Sequence, residues 1–285
     1  MKVLKLRETI HIHPLFFLLA ISAFLTGAIY EFIVIFSIVF IHELGHFLVA
    51  KHYNWRITKM EIWLFGGAVV SEEHNTRPFK EQVHVILAGP FQHVWIFVLL
   101  FIIQFTAGPH SLISTAVLYN GIILLFNLLP IWPLDGGKLL FYISNQLLTL
   151  RQSQIVTLMF SLGIMFIAGG WLFLESRWTL ATILLTAFLF IENGLEWKRR
   201  SYTQMRYLLY CAYQERPPMK TKYIKVEQDT LVRDVLKNIR CNCHHKYVLK
   251  QPPRFYIVDE QECLRAFFER KQAQLRIRDI QKVAL

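Results

Sequence analysis

Long apolar runs separated by short polar or glycine-containing segments make up the first 200 residues of the chain. Six of these runs are predicted to be membrane helices, at 15–30, 32–50, 83–107, 112–129, 155–174 and 180–191. A helix that crosses the apolar core of a bilayer needs about 20 residues, most of them apolar. The pattern therefore predicts a mainly α-helical, polytopic membrane protein with six helices.

A shorter apolar stretch lies between the second and third runs, at 62–70. It is too short to cross a bilayer, and Gly66 and Gly67 near its middle allow the backbone to reverse direction. Irregular or extended backbone is tolerated at membrane depth where it lines a cavity. We predict a short re-entrant hairpin here, with a strand in an extramembrane loop as the alternative.

The composition becomes polar and charged after residue 200, and Pro217 and Pro218 mark a linker. Beyond them, short segments with the periods of strands and helices follow in the order β-α-β-β-α. We therefore predict three parts: a membrane domain at 1–200, a linker at 201–222 and a small α/β domain at 223–285.

Charge and composition agree with a membrane location, since the 285 residues are 54% hydrophobic and carry a net charge of +11. If the N-terminus is cytoplasmic, three basic segments share its side: 51–80, the connection with Lys138 and Arg151, and 198–200. The positive-inside rule then predicts that both termini are cytoplasmic. No aromatic and arginine pattern typical of nucleic-acid binding is present, so a nucleic-acid partner is not expected.

His42, Glu43 and His46 lie inside an apolar run, where ionisable side chains indicate function. Residues four apart share a helix face, so the two imidazoles can bind one zinc ion. Glu43 would then stand beside the metal as the general base for a water at the metal. The alternative is a pair of structural histidines with a paired glutamate.

A protein zinc site needs a third ligand, and Asp135 is the strongest candidate. It follows the fourth apolar run after Pro130 and Pro133, which break the helix, and precedes two glycines. In the six-helix topology Asp135 shares the depth of His46, although a helix-capping role is the alternative. Asn127, inside the fourth run, can hold a substrate backbone or an oxyanion, or form an interhelical hydrogen bond.

Other histidines and the cysteines are interpreted as structural. His84 and His93 in the third run are interpreted as packing or interfacial residues. The segment 241–245, Cys-Asn-Cys-His-His, matches no common zinc spacing and is interpreted as a reduced, hydrophilic loop. The four cysteines all fall after residue 210, and no disulfide framework is implied if that part is cytoplasmic.

Three segments together resemble the site-2 protease family of intramembrane zinc metalloproteases. They are His-Glu-Leu-Gly-His at 42–46, Ala-Gly-Pro at 88–90 and Asn-Leu-Leu-Pro-Ile-Trp-Pro-Leu-Asp-Gly-Gly at 127–137. The resemblance covers about 10–200. Segments 229–231 and 256–260 resemble pieces of one CBS motif, a domain that replaces the PDZ domain in a sporulation branch of this family.

The resemblance implies one catalytic Zn²⁺ held by His42, His46 and Asp135, with Glu43 as the catalytic residue. The substrate-binding positions that it implies are Asn127, Phe65, Gly66, Gly67 and Pro133. It also implies a membrane-associated protein substrate, the precursor of sigma-K, together with inhibitory membrane partners and a place in a bacterial inner or forespore membrane. The CBS-like domain implies ATP as a ligand and pairing with a second copy as a route to a homo-oligomer.

Three other functions are considered: a membrane ion or metal transporter, a catalytically inactive regulatory homologue, and a zincin with a glutamate as third ligand. Transporters usually show inverted repeats, and the sequence has none. The presence of Glu43 disfavours an inactive homologue, and the context of Asp135 disfavours the glutamate zincin.

Overall fold

A computed structural model describes residues 10–12, 14–63, 66–71, 76–108, 110–175, 179–214, 220–251, 254–270 and 275–281. The chain folds into two compact units, one formed by Met1–Leu139 with Ile167–Phe188 and the other by Leu140–Phe166 with Leu189–Leu285. The elements of the first part of the chain are β1 (Ile10–Ile12), α1 (Pro14–Thr26), α2 (Ile29–His52), β2 (Ile57–Trp63), β3 (Gly66–Ser71), α3 (Phe79–Ala107), α4 (Ser111–Leu128) and α5 (Asp135–Leu147). The later elements are α6 (Leu150–Leu174), α7 (Leu180–Tyr213), β4 (Lys220–Val226), α8 (Val232–Leu236), β5 (Cys243–Gln251), β6 (Arg254–Asp259), α9 (Glu260–Arg270) and α10 (Ile277–Gln281).

Within the part of the chain that the structure describes, five helices are long and apolar enough to cross a membrane: α2, α3, α4, α6 and α7. Many of their large apolar side chains are exposed, such as Phe105, Leu125 and Leu174, which suits contact with lipid. α1 has 13 residues and is about 20 Å long at 1.5 Å per residue, short of a bilayer core of about 30 Å. The sixth span therefore stays a prediction.

Two helical segments differ from the sequence-based prediction. The connection that contains Lys138 is the helix α5, whose 13 residues are too few and too polar to form an apolar run of membrane length. The last apolar run was predicted to end at residue 191, yet α7 continues to Tyr213 because its polar second half contains strong helix formers. Helix therefore occupies the first part of the segment predicted as a linker.

A small sheet in the first unit has the strand order β1-β2-β3. β2 and β3 form an antiparallel hairpin in which Trp63 pairs with Gly66 and Ile62 pairs with Gly67. β1 pairs in parallel with β2, and this strand was not predicted. The predicted hairpin is therefore present, but Gly66 and Gly67 are the first residues of β3 and do not form its turn. Its depth in a membrane stays a prediction, and Phe65 lies outside the described residues.

In the turn between α4 and α5 the chain folds back, so that the start of α5 lies against the end of α4. Ile131 is buried there, and the peptide bond between Trp132 and Pro133 is cis. A Cβ atom added at Gly136 would collide with the carbonyl oxygens of Leu128 and Leu129, and one at Gly137 with the carbonyl of Ile131. The two glycines therefore allow the first turn of α5 to lie directly against the backbone of the turn.

The C-terminal part contains a second sheet, with β4 parallel to β5 and β5 antiparallel to β6. Its elements occur in the predicted order β-α-β-β-α and are followed by α10. Six side chains that are at most 1% exposed form its core: Val232, Leu236, Tyr247, Leu249, Leu264 and Ile277. Burying such a side chain contributes about 1.5–3 kcal/mol. The interpretation of 241–245 as a loop was wrong from Cys243 onwards, because β5 begins there.

A buried pair of hydrogen-bonded side chains joins β5 to α9 in this part of the chain. The carboxylate of Glu260 accepts hydrogen bonds from the backbone N–H and from Nδ1 of His245, both at 2.7 Å. Both side chains are 0% exposed.

Burial raises the pKa of the Cys263 thiol on α9, so this cysteine stays protonated near neutral pH. All four cysteines are free.

We expect Glu260→Gln to destabilise the C-terminal part, because an amide is a weaker acceptor and its NH₂ group has to be buried beside His245. A buried polar group that loses its partner costs about 1–3 kcal/mol. The measurement is the rate of limited proteolysis within 220–281 in the full-length protein. Glu269→Gln, at an exposed position of the same helix, is the matched control. Equal cleavage rates for the two variants would contradict the expectation.

Candidate metal centre

Three buried side chains meet at one point of the first unit. Nε2 of His42 lies 3.1 Å from Nε2 of His46. One oxygen of Asp135, Oδ2, lies 3.1 Å from the first of these nitrogens and 3.0 Å from the second. The two histidines share a face of α2, and Asp135 is the first residue of α5. The structure therefore brings together the three side chains predicted as ligands, and they can hold a metal ion.

The donor set fits a zinc ion. Zinc in proteins is bound by imidazole nitrogen and carboxylate oxygen at about 2.0–2.2 Å in a tetrahedral arrangement, which separates neighbouring ligand atoms by about 3.3 Å. The observed separations of 3.0–3.1 Å are close to this value. Oδ2 of Asp135 is buried and has no hydrogen-bond partner among the described residues. A carboxylate oxygen of this kind needs a cation, and a metal ion supplies one.

The imidazole of His46 is fixed through its other nitrogen. Nδ1 lies 2.7 Å from the backbone carbonyl oxygen of Val85 on α3. A carbonyl oxygen only accepts hydrogen bonds, so Nδ1 carries the hydrogen and donates it. When the ring is neutral, Nε2 is therefore the nitrogen with a free lone pair. This is the tautomer that a metal ligand requires.

His42 is fixed in a different way, by side chains from two other helices. Its Nδ1 lies 3.0 Å from Nε2 of His93 on α3, and Nδ1 of His93 lies 2.7 Å from Oδ1 of Asn120 on α4. The interpretation of His93 as a packing or interfacial residue was incomplete, and Asn120 was not predicted. Both are polar residues inside apolar runs, and a polar residue in such a run needs a polar partner. This was the feature of the sequence that could have identified them.

The second oxygen of Asp135 faces a lysine. Oδ1 lies 3.3 Å from Nζ of Lys138, one turn further along α5, and Lys138 is about one-third exposed. The positive charge of Lys138 favours the ionised form of this carboxyl group. Asp135 is therefore a carboxylate at neutral pH.

The remaining predicted site residues occupy different places. Glu43 is buried and follows His42 on α2. Asn127 donates to the backbone carbonyl of Ile123, one turn earlier on the same helix, at 3.0 Å. Gly66 and Gly67 begin β3, and Pro133 lies in the turn before Asp135.

A glycine of α3 lies directly against the two imidazoles. A Cβ atom at Gly89 would collide with the ring of His46 and would lie 2.7 Å from Cε1 of His42. The Ala88-Gly89-Pro90 segment, predicted as a kink or a close helix approach, is therefore a close approach of α3 to α2 at the level of the site. A larger residue at 89 has no room unless the imidazoles move.

Comparison with known proteins agrees with this geometry. The family model of peptidase family M50 matches residues 30–109 and 104–169. Stage IV sporulation protein FB of Bacillus subtilis is 34% identical over 274 residues, which cover 95% of each chain. Zinc metalloprotease MJ0392 of Methanocaldococcus jannaschii is 35% identical over 113 residues, which cover 38% of this chain and 32% of that protein. The solved structure of a site-2 protease from Methanocaldococcus jannaschii matches with a TM-score of 0.54 and 25% identity, covering 69% of this chain and 93% of that chain.

The apolar helices, the buried His-His-Asp cluster and these matches define an integral membrane metallopeptidase. The chain belongs to peptidase family M50, the site-2 proteases, and is a zinc metalloendopeptidase.

We expect Gly89→Ala to reduce zinc occupancy of the purified protein, because the added methyl group forces the rings of His42 and His46 apart. Gly121→Ala on α4 is the matched control, since a Cβ there meets only Phe97 at an ordinary distance of 3.8 Å. Zinc per protein, measured by elemental analysis, reports the effect. Equal zinc content in the two variants would show that the imidazoles tolerate the displacement.

Proposed function

We propose that this protein is an intramembrane endopeptidase that cuts a membrane-associated precursor, with the sigma-K proprotein as its substrate. The observation that carries the proposal is the buried cluster of His42, His46 and Asp135 among apolar helices. The similarity to stage IV sporulation protein FB over 95% of both chains supports the choice of substrate and a bacterial inner or forespore membrane as the location.

Each residue of the site has a proposed task. When bound, zinc supplies the Lewis acidity that activates water and polarises a peptide carbonyl. His42, His46 and Asp135 hold it, and Lys138 restrains the carboxylate through Oδ1 at 3.3 Å. Glu43 accepts a proton from the attacking water and passes it to the leaving amine. Glu43 is buried, which limits the access of bulk water to it.

The hairpin is the proposed docking edge for the substrate. A membrane helix hides its peptide groups, so a substrate has to unwind locally before it is cut. β3 pairs with β2 on one side only among the strands that the structure describes, which leaves Gly66 and Gly67 on an edge able to pair with an extended chain. Phe65, Pro133 and Asn127 are proposed to contact the same substrate segment.

The proposed topology has six spans, with α1 as the additional one and both termini in the cytoplasm. Positive charge on the cytoplasmic connections supports this orientation. The proposed partners besides the substrate are inhibitory membrane proteins. Such partners would act on a site that opens to the cytoplasmic side.

The C-terminal part is proposed to be a CBS-like regulatory domain at 223–285, joined through the segment 201–222 to the membrane domain at 1–200. Its three-stranded sheet and short helices support a small α/β module. Such a module has a limited core, so pairing with a second copy or with the substrate would stabilise it. ATP is its proposed ligand.

We expect Glu43→Gln to keep zinc and to lose peptidase activity, because an amide cannot accept the proton of the attacking water. A loss of at least about 100-fold in kcat is expected, since general-base catalysis contributes about 10²–10⁴-fold. The measurement is cleavage of the purified precursor in detergent, together with zinc content.

Asp135→Asn tests the proposed third ligand, because a neutral amide is a poorer zinc ligand than a carboxylate. It should lose both zinc and activity. Near wild-type cleavage by Glu43→Gln would remove Glu43 from its proposed role, and full zinc content in Asp135→Asn would place the third ligand elsewhere.

We expect removal of 223–285 to leave zinc bound but to abolish productive capture of the precursor. Cleavage by the full-length enzyme should also depend on ATP concentration, and the shortened enzyme should show no such response. The measurements are zinc content and kcat/KM at several ATP concentrations. Unchanged kcat/KM of the shortened enzyme, with or without ATP, would show that the C-terminal part has no role in capturing the precursor.

A further inference from the structure

A chain of buried hydrogen bonds runs from the metal centre through three helices. It begins at His42 on α2, continues through His93 on α3 and ends at Asn120 on α4, with exposures of 3%, 0% and 0%. The two links measure 3.0 Å and 2.7 Å. A third bond closes the far end, because Nδ2 of Asn120 donates to the backbone carbonyl of His93 at 3.0 Å.

The closing bond sets the direction of every other bond in the chain. A carbonyl oxygen only accepts, so the amide NH₂ of Asn120 faces the backbone of His93 and its Oδ1 faces the ring. Oδ1 then requires a hydrogen on Nδ1 of His93. The neutral ring of His93 is left with an acceptor at Nε2, so Nδ1 of His42 donates to it. Nε2 of His42 consequently has its lone pair free and directed at the metal centre.

We propose that His93 is a positioning residue for the metal centre, and that Asn120 orients it. His93 fixes the tautomer and the rotation of His42, as the carbonyl of Val85 does for His46. The inference rests on the proposed role of His42 as a metal ligand. The competing explanation is that His93 and Asn120 only join α3 to α4, as interhelical polar contacts commonly do in membranes.

The two explanations predict different effects on zinc affinity. Partners of this kind orient a ligand and raise its basicity, and their loss typically costs about 10- to 100-fold in metal affinity. A contact that only joins helices affects the stability of the metal-free protein and leaves the zinc Kd of the folded protein unchanged. The Kd and the stability of the metal-free form therefore have to be measured side by side.

The experiment uses the full-length protein in detergent, with the zinc Kd measured by competition against a chelator and the Tm of the metal-free form measured in parallel. His93→Phe keeps a ring but removes the acceptor, and we expect it to weaken zinc binding about 10- to 100-fold. His93→Gln retains an acceptor oxygen and should recover most of the affinity. Asn120→Leu should weaken binding in the same direction but to a smaller extent.

Two matched controls separate the relay from general effects of losing a polar side chain. His84→Phe removes another histidine of α3, whose ring contacts Tyr53 instead of the site. Asn193→Leu removes another buried asparagine, on α7, which donates to the carbonyl of Leu189 on its own helix. Both controls should bind zinc with the wild-type Kd.

The double variant His93→Phe with Asn120→Leu tests whether the two residues act in series. If Asn120 acts only through His93, the double variant binds zinc as His93→Phe does. An unchanged Kd in His93→Phe, or fully additive losses in the double variant, would overturn the inference. If His93→Phe does not fold, Asn120→Leu against Asn193→Leu decides the question in the same way. His42→Ala tests the underlying assignment, because a wild-type Kd there would refute the proposed metal site itself.

Discussion

The structure depends on keeping three electron-rich atoms about 3 Å apart in a buried place, namely Nε2 of His42 and His46 and Oδ2 of Asp135. Such atoms do not attract one another, and burial removes the water that would screen them. A cation resolves this conflict, but only if the backbone holds the atoms in place before it arrives. The close approach of α3 to α2 at Gly89 and the folded-back start of α5 provide that support.

The apolar surroundings impose the second demand on this arrangement. A polar group at membrane depth that lacks a partner costs several kcal/mol, so each side chain that serves the site has to satisfy its other atoms within the protein. The structure meets this demand with a backbone carbonyl for one imidazole and with the pair His93 and Asn120 for the other. Many exposed side chains of the same helices are large and apolar, whereas the residues of this polar network are buried.

Local pattern was enough to predict which three side chains meet, because His42 and His46 are related by the period of one helix and Asp135 follows a break that two prolines mark. The order of the C-terminal strands was likewise visible in short-range periodicity, and the hairpin was indicated by a short apolar stretch with two glycines. The contact between His93 and Asn120 could not be predicted from local pattern, since the two residues are far apart in the chain and meet only through the packing of α3 against α4. The helix α5 was missed because its 13 residues are too few and too polar to form an apolar run of membrane length.

The turn before α5 has a consequence for how this enzyme can vary. Near Asp135, backbone lies directly against backbone, with Gly136 and Gly137 against the carbonyls of Leu128, Leu129 and Ile131. The number of residues between α4 and Asp135 therefore determines where the carboxylate lies. Inserting or deleting one residue would displace it by up to about 3.8 Å, more than the ligand atoms are apart. A change in the length of this turn is therefore expected to remove Asp135 from the metal centre.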